Sequence, residues 1–333
     1  MTPSESRALM QRELIEQPVI LAAAASALSE AAARIRPPES RSIWIGGCGD
    51  SLFAAQAMAF HYRSFGWDIR PASAAEMLWD ADIGADDTVV GISISGSTRR
   101  TVEAIAAAAR KGTQTIAVTL KAESDLARAA GDVLLLPYQP ISRATPHGLD
   151  YHVTLLALAA LVGEVEGSQI QAMFERRTAA ALDHARGVAE KLPPDARFFF
   201  LGGGAALGSA GYGAAKMHEA GGLPAWSFEA ENFAHGAQFV ARPGDHAVLC
   251  GAGGPADGRT LAMREGLERL GLTVGHAGFS GETDPLLIAF EAALYCQALC
   301  LAIAEVRDLD VTDPAQGSAA EEVQRDWFGW TAS

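Results

Sequence analysis

The stretch "TVVGISISGSTRRTVEAIAAAARKG" (residues 88–112) sets four hydroxyls and a glycine between an apolar run and an alanine-rich segment. The apolar run reads as a buried strand over 87–94, and the later segment as a helix over 98–111. A turn of this composition has two uses at such a junction. It can cap the helix, with Ser or Thr as a plain N-cap. It can also cradle an anion, because a helix N-terminus presents free N–H groups and the positive end of its dipole. Ser93, Ser95, Ser97 and Thr98 would add hydroxyl donors, and Gly96 would let the backbone approach closely. That arrangement suits a phosphate monoester. It lacks Gly-Lys-Ser/Thr, so it is not a nucleotide P-loop.

Outward from this junction the chain alternates. Residues 4–35 read as helical. Strands are expected at 42–47, 87–94, 114–120 and 132–137, with helices at 50–66, 98–111, 124–131 and 149–163. Short β-rich apolar runs separated by helices predict an α/β chain with doubly wound parallel sheets covered on both faces. The second half repeats the plan. "ARFFFLGGG" (196–204) answers "RSIWIGGCG" (41–49), and "GDHAVLCGAGG" (244–254) answers "DDTVVGISISG" (86–96). "GRTLAMREGLERLG" (258–271) answers "RRTVEAIAAAARKG" (99–112), and all offsets fall within 155–159 residues. A constant offset predicts an internal duplication, with a connecting helix over 164–195 closed by Pro193 and Pro194. The copies are unequal. Where the first carries SISGST, the second carries "GAGGPAD" (251–257), and this loss of hydroxyls suggests that they serve a ligand in one copy only.

The chain has 333 residues and a formal charge of −14, from 26 Lys and Arg against 40 Asp and Glu. Phosphate-directed nucleic-acid binding needs a dense basic face, and no basic run here exceeds two residues. An anionic membrane surface is disfavoured for the same reason. The N-terminus has no signal-peptide apolar core, so a cytoplasmic protein is expected. Cys48, Cys250, Cys296 and Cys300 form no CxxC pair and read as free buried thiols. No metal cluster or cofactor is expected. "GGCGDS" (46–51) lacks the third glycine of a dinucleotide fingerprint, since Leu52 stands there, and "LGGGAALG" (201–208) also fails the spacing.

"GCGDS" (47–51) followed by "SISGSTRRT" (93–101) resembles the SIS (sugar isomerase) phosphosugar-binding family. The tandem plan and "MQRELIEQP" (10–18) are similar to the isomerase half of glucosamine-6-phosphate synthase. Fructosamine-6-phosphate deglycases are related. The resemblance implies two tandem SIS-type, flavodoxin-like subdomains. They would span 41–163 and 196–310, with a helical segment at 1–40 and a tail at 311–333. It also implies a sugar phosphate as ligand and no cofactor. Ser93, Ser95 and Thr98 would hold the phosphate, with Ile94, Gly96 and Ser97 in the same loop. Cys48, Gly49 and Ser51 match the family's first loop. Asp50 stands where the synthase has threonine, and is open to three roles: a hydrogen-bond acceptor for sugar hydroxyls, a partner for a substrate ammonium, or a helix cap. Ser142 and Thr145 fall in "SRATPHG" (142–148), which departs from the synthase's Ser-Thr-Lys.

The family match also implies the catalytic set. Within "AAKMHEAGGLPAWSFEAENFAHG" (214–236), Lys216, Glu219 and His235 match by position. Alone, Lys216 and Glu219 read as a surface ion pair three apart on a helix, and a lone histidine before glycine reads as structural. The match makes Glu219 the proton shuttle between C1 and C2 and His235 the group that opens the sugar ring. Glu229 and Glu231 are rival carboxylates. Gly317 falls near the family's Schiff-base lysine, which leaves proton transfer as the expected chemistry. In related proteins the histidine reaches a neighbouring subunit, so a homodimer with shared sites is expected. The expected function is a phosphosugar isomerase acting by C1–C2 proton transfer, with or without amine release. Two alternatives are a fructosamine-6-phosphate deglycase and a non-catalytic phosphosugar sensor.

Overall fold

The computed structural model describes residues 2–35, 42–312 and 318–331. The first half runs α1 (Pro3–Ala32), β1 (Ile43–Gly47), α2 (Asp50–Ser64), β2 (Ile69–Ser73), α3 (Ala74–Trp79), β3 (Thr88–Ile92) and α4 (Arg99–Arg110). It continues with β4 (Gln114–Thr119), α5 (Asp125–Ala129), β5 (Asp132–Leu135), α6 (Gly148–Ala160) and α7 (Gly167–Ala189). The second half runs β6 (Phe198–Gly202), α8 (Ala206–Glu219), β7 (Ala225–Glu229), α9 (Ala230–Ala234), β8 (His246–Cys250), α10 (Asp257–Ala262) and α11 (Arg264–Arg269). It ends with β9 (Thr273–Ala277), α12 (Pro285–Val306) and α13 (Ala319–Gly329).

These strands form two parallel sheets, ordered β2-β1-β3-β4-β5 and β7-β6-β8-β9. The first four strands of each sheet thus follow one order. In both sheets the order reverses beside the first strand, and ligands sit outside the carboxyl ends of strands at such a switch point.

The alternation of side chains along each strand explains how the sheets share one core. Ile43 and Ile45 of β1, Val90 and Ile92 of β3, Phe198 and Phe200 of β6, and Val248 of β8 all enter a single cluster. Their neighbours Trp44 and Val89 face a second cluster with Met77 and Ile105. Phe199, Leu201 and Leu249 face a third with Phe233 and Leu267. A strand side chain points to the face opposite its neighbour's, so the large cluster lies between the sheets and the smaller ones lie outside them. The middle layer holds α1, α2, α6, α7, α8 and α12. α12 and α1 are long and apolar enough to cross a membrane, but 94% of α12's apolar window is buried inside the protein. That makes α12 a core helix.

The strands and long helices lie where the sequence pattern put them, with three differences. β2 and β7 are edge strands with mixed burial, so they lack the apolar run that marks β1 and β3. The helix expected over 258–271 is two short pieces, α10 and α11, meeting at Met263. Cys48 is exposed, unlike the other three cysteines, because it sits in the loop after β1 rather than on a core element.

Candidate functional site

The turn after β3 answers the question raised by SISGST. Thr98 occupies the N-cap of α4, yet its side chain makes no capping bond. Instead its hydroxyl lies 2.9 Å from that of Ser93. Ser93 is buried, and its Oγ accepts from the Gly96 N–H at 3.1 Å. Ser97 is exposed and donates to Ser95 Oγ at 2.9 Å. Gly96 has φ +65, and an added Cβ would lie 2.2 Å from Ser124 Cβ and 2.8 Å from Thr119 Oγ1. Gly96→Ala therefore combines left-handed strain with a clash against the Ser124 and Thr119 side chains. It is expected to cost about 2–3 kcal/mol of stability. Urea denaturation measures this, and an unchanged midpoint would refute the tight-turn account.

The corresponding loop of the second half is closed by the chain itself. Asp257, at the start of α10, accepts from the Ala252 N–H at 3.1 Å and the Gly253 N–H at 2.9 Å. A carboxylate of the chain thus fills the loop whose first-half counterpart borders a cavity. The loss of hydroxyls in GAGGPAD has this physical counterpart.

That cavity measures about 180 Å³ and is lined by Asp50, Ser51, Ser93, Ile94, Ser95 and Thr98, together with Arg143, His147, Asp150, Tyr151 and Thr154. Asp50 Oδ1 and the Tyr151 hydroxyl, both of the cavity lining, are among the buried side-chain atoms without hydrogen-bond partners. Burying such atoms unpaired costs about 1–3 kcal/mol each, so both suit a polar ligand. A neighbouring cavity of about 360 Å³ is lined by Thr145, His218, Glu219 and Gln324, and shares Arg143 and His147 with the first. Cys48, Gly49, Gly96, Ser97 and Ser142 line neither cavity. Gly49 serves the backbone: it opens α2 with φ +56. Ser142 accepts from the Ala144 N–H at 3.1 Å.

Lys216 and Glu219 are not a surface pair. Lys216 is fully buried, and its Nζ donates to Asp50 Oδ2 at 2.8 Å and to Glu219 Oε2. Burial opposes its charge, but the two carboxylates outweigh burial and hold the ammonium above the ordinary lysine range. Burial likewise pushes Asp50 up to about 6 against the pull of Lys216, and the charge of Glu219 adds to the rise. Of the three roles open to Asp50, the helix cap is excluded, since no side chain caps α2. Lys216 ties Glu219 on α8 to Asp50 on α2, and so joins the two halves of the chain at the site. The rival carboxylates are engaged elsewhere. Glu229 caps α9 through the Asn232 N–H at 2.8 Å, and Glu231 pairs with Arg259 at 2.5 Å.

His235 is apart from this group. Its side chain is 74% exposed, lines neither cavity, and lies 3.3 Å from Glu231. Gly317 lies outside the described residues.

Several cavity residues had no place in the sequence reading. His147 Nδ1 lies 2.7 Å from Asp150 Oδ2, and the Tyr138 hydroxyl donates to Asp150 Oδ1. Hydrogen bonding to Asp150 holds His147 above its ordinary value. Burial opposes ionisation of Asp150, yet His147 and Tyr138 keep it below the usual carboxylate range. The signal in the sequence was "HGLD" (147–150), which sets His147 at the N-cap of α6 and Asp150 three residues on, in its first turn. Behind them, burial followed by the charge of Asp150 pushes Glu13 up to about 7. A carboxyl whose folded value is raised favours folding at low pH, and that advantage is lost as pH rises from about 4.5 to 7. Glu13→Gln is accordingly expected to add about 3 kcal/mol at pH 8 and nothing at pH 4. Thermal melts at both values check it, and equal effects at the two would exclude the charge as cause.

With the site in view, comparison places it. The SIS domain family model matches residues 38–162, the part of the chain that carries the hydroxyl-lined turn. These residues are a SIS domain, and the chain is homologous to two curated enzymes. One is glutamine–fructose-6-phosphate aminotransferase (isomerizing) of Pyrobaculum aerophilum, 28% identical over 80% of this chain and 47% of that protein. The other is fructosamine deglycase FrlB of Bacillus subtilis, 31% identical over 38% of this chain and 42% of that protein. The chain thus spans about half the length of the curated relatives it matches. The fold is that of a solved glucosamine-6-phosphate deaminase from Thermotoga maritima, with a TM-score of 0.77 at 20% identity over 92% of this chain and 98% of that one.

Proposed function

We propose that this chain is a phosphosugar isomerase. The nest of Ser93, Ser95 and Thr98 takes the phosphate of a ketose or amino sugar, with Arg143 supplying positive charge. Glu219 moves a proton between C1 and C2 through an enediol. The observation that carries this reading is the pair of cavities joined at Arg143 and His147, one holding the nest and the other Glu219. The chemistry is proton transfer rather than imine formation. Lys216, held as an ammonium by two carboxylates, has no free electron pair with which to attack a carbonyl.

The name of the 31% identical relative supports a second reading, release of an amine from a fructosamine 6-phosphate. The two readings share Glu219 and differ in product. Incubation with fructose 6-phosphate, glucosamine 6-phosphate and a fructosamine 6-phosphate in D2O separates them. Deuterium at C1 or C2 without amine release supports the isomerase, and free amine supports the deglycase. Tight binding of all three with no exchange would make the protein a sensor and sink both.

We also read the chain as one subunit of a homodimer. Phe239 is 85% exposed and Val240 56%, an apolar patch next to the exposed His235. Phe239→Glu is expected to convert a dimer to monomers in sedimentation velocity. An unchanged sedimentation coefficient would remove this face from the interface. The duplication of the two halves is part of the same reading, supported by the shared strand order.

A further inference from the structure

We infer that His147, oriented by Asp150, is the acid/base group that opens the sugar ring in this site. The inference rests on the phosphosugar reading of the cavity and adds a residue to it. Three observations carry it. His147 lines both cavities, so its side chain stands between the phosphate nest and Glu219, where the anomeric carbon of a bound sugar phosphate would lie. Its two nitrogens are differentiated. Nδ1 meets buried Asp150 at 2.7 Å, while Nε2 has no partner among the described residues. Its orienting carboxylate is itself fixed, because the Tyr138 hydroxyl occupies the other oxygen of Asp150. An imidazole with one nitrogen at a carboxylate and the ring in a cavity wall has the geometry of a general base. A plain helix-terminus ion pair would need neither a buried Asp150 nor Tyr138.

The step balances without a co-reactant. Nε2 of neutral His147 takes the proton of the anomeric hydroxyl. The bond from the anomeric carbon to the ring oxygen breaks, and its electron pair passes to that oxygen. The oxygen recovers the proton from the imidazolium as the carbonyl forms. Nothing is oxidised or reduced. The charged groups around His147 are Asp150 on its own helix, Arg143 in the adjoining loop, Glu13 on α1, Asp50 on α2, and Lys216 with Glu219 on α8. Asp150 dominates and raises its value, so the acidic limb of the reaction lies above the ordinary imidazole value of about 6.5.

Anomer exchange of glucose 6-phosphate and of fructose 6-phosphate, followed by NMR magnetisation transfer, reads ring opening without requiring isomerisation. The native protein is expected to accelerate exchange. His147→Asn, which keeps a donor for Asp150 but cannot titrate, is expected to lose about 100-fold or more of that acceleration, and His147→Gln likewise. Asp150→Asn should move the acidic limb towards lower pH. Native-rate exchange in both His147 variants would overturn the inference. So would a native protein that accelerates exchange of neither sugar, or loss in His235→Asn with none in His147→Asn. Deuterium at C1 and C2, measured in the same samples, keeps the two readings apart. Exchange of anomers without deuterium uptake sinks the isomerase and leaves His147 standing. Deuterium uptake with native-rate anomer exchange in His147→Asn sinks His147 alone.

Discussion

Glu219→Gln is expected to lower C1–C2 deuterium exchange by about 10²–10⁴-fold, the usual worth of a positioned acid/base group. Binding of fructose 6-phosphate should change little. The reason lies in how the site is divided. In the proposed reading the turn between β3 and α4 grips the phosphate, and Glu219 ends α8 in the other half of the chain. Glutamine keeps the shape and one acceptor for Lys216, and Lys216 retains Asp50 at 2.8 Å. Only the proton acceptor is lost. Exchange at the native rate would remove Glu219 from the mechanism. Loss of binding together with exchange would mean that the carboxylate holds substrate rather than moving its proton.

How far the sequence could carry this picture depends on the range of each interaction. The nest was legible because a strand, a turn and a helix lie in one stretch, and the chemistry of SISGST is local. β2 and β7 were not, since an edge strand such as "IRPAS" has mixed burial and carries a proline, so neither period nor composition marks it. Lys216 and Glu219 were visible as a pair, but their setting was not. The third member, Asp50, lies 166 residues away, and nothing in the spacing shows that Lys216 is buried. His147 and Asp150 stand only three apart at the start of α6, yet had no place in the sequence reading. Tyr138 and Glu13, which turn that pair into a buried network, come from a loop and from α1. The family match carried His235 onto its position. The fold of a single chain leaves it exposed and in the lining of neither cavity, so a role for it rests on the homodimer proposed above.

Lys216→Met is expected to destabilise the protein by about 3–5 kcal/mol, because removing one member of a buried ion group strands the other charges. Methionine fills much of the space of the lysine stem, so a cavity contributes little. What is left behind is Asp50 beside Glu219 with no ammonium between them. The pH dependence follows from the sign of the shift. Asp50 already lies above its ordinary value in the native protein, and without Lys216 it rises further. A raised carboxyl favours folding while it is protonated and opposes it once ionised. The deficit of the variant should therefore be small at pH 4 and grow as pH rises through 6 towards 8. Adding Asp50→Asn to Lys216→Met should recover a large part of the loss at pH 8 and little at pH 4. Urea midpoints of the single and double variants at the two pH values measure this. A deficit that is the same at both, and untouched by Asp50→Asn, would mean that Lys216 stabilises the fold by packing on Tyr212, whose ring centroid lies 5.2 Å from Nζ, rather than by neutralising charge.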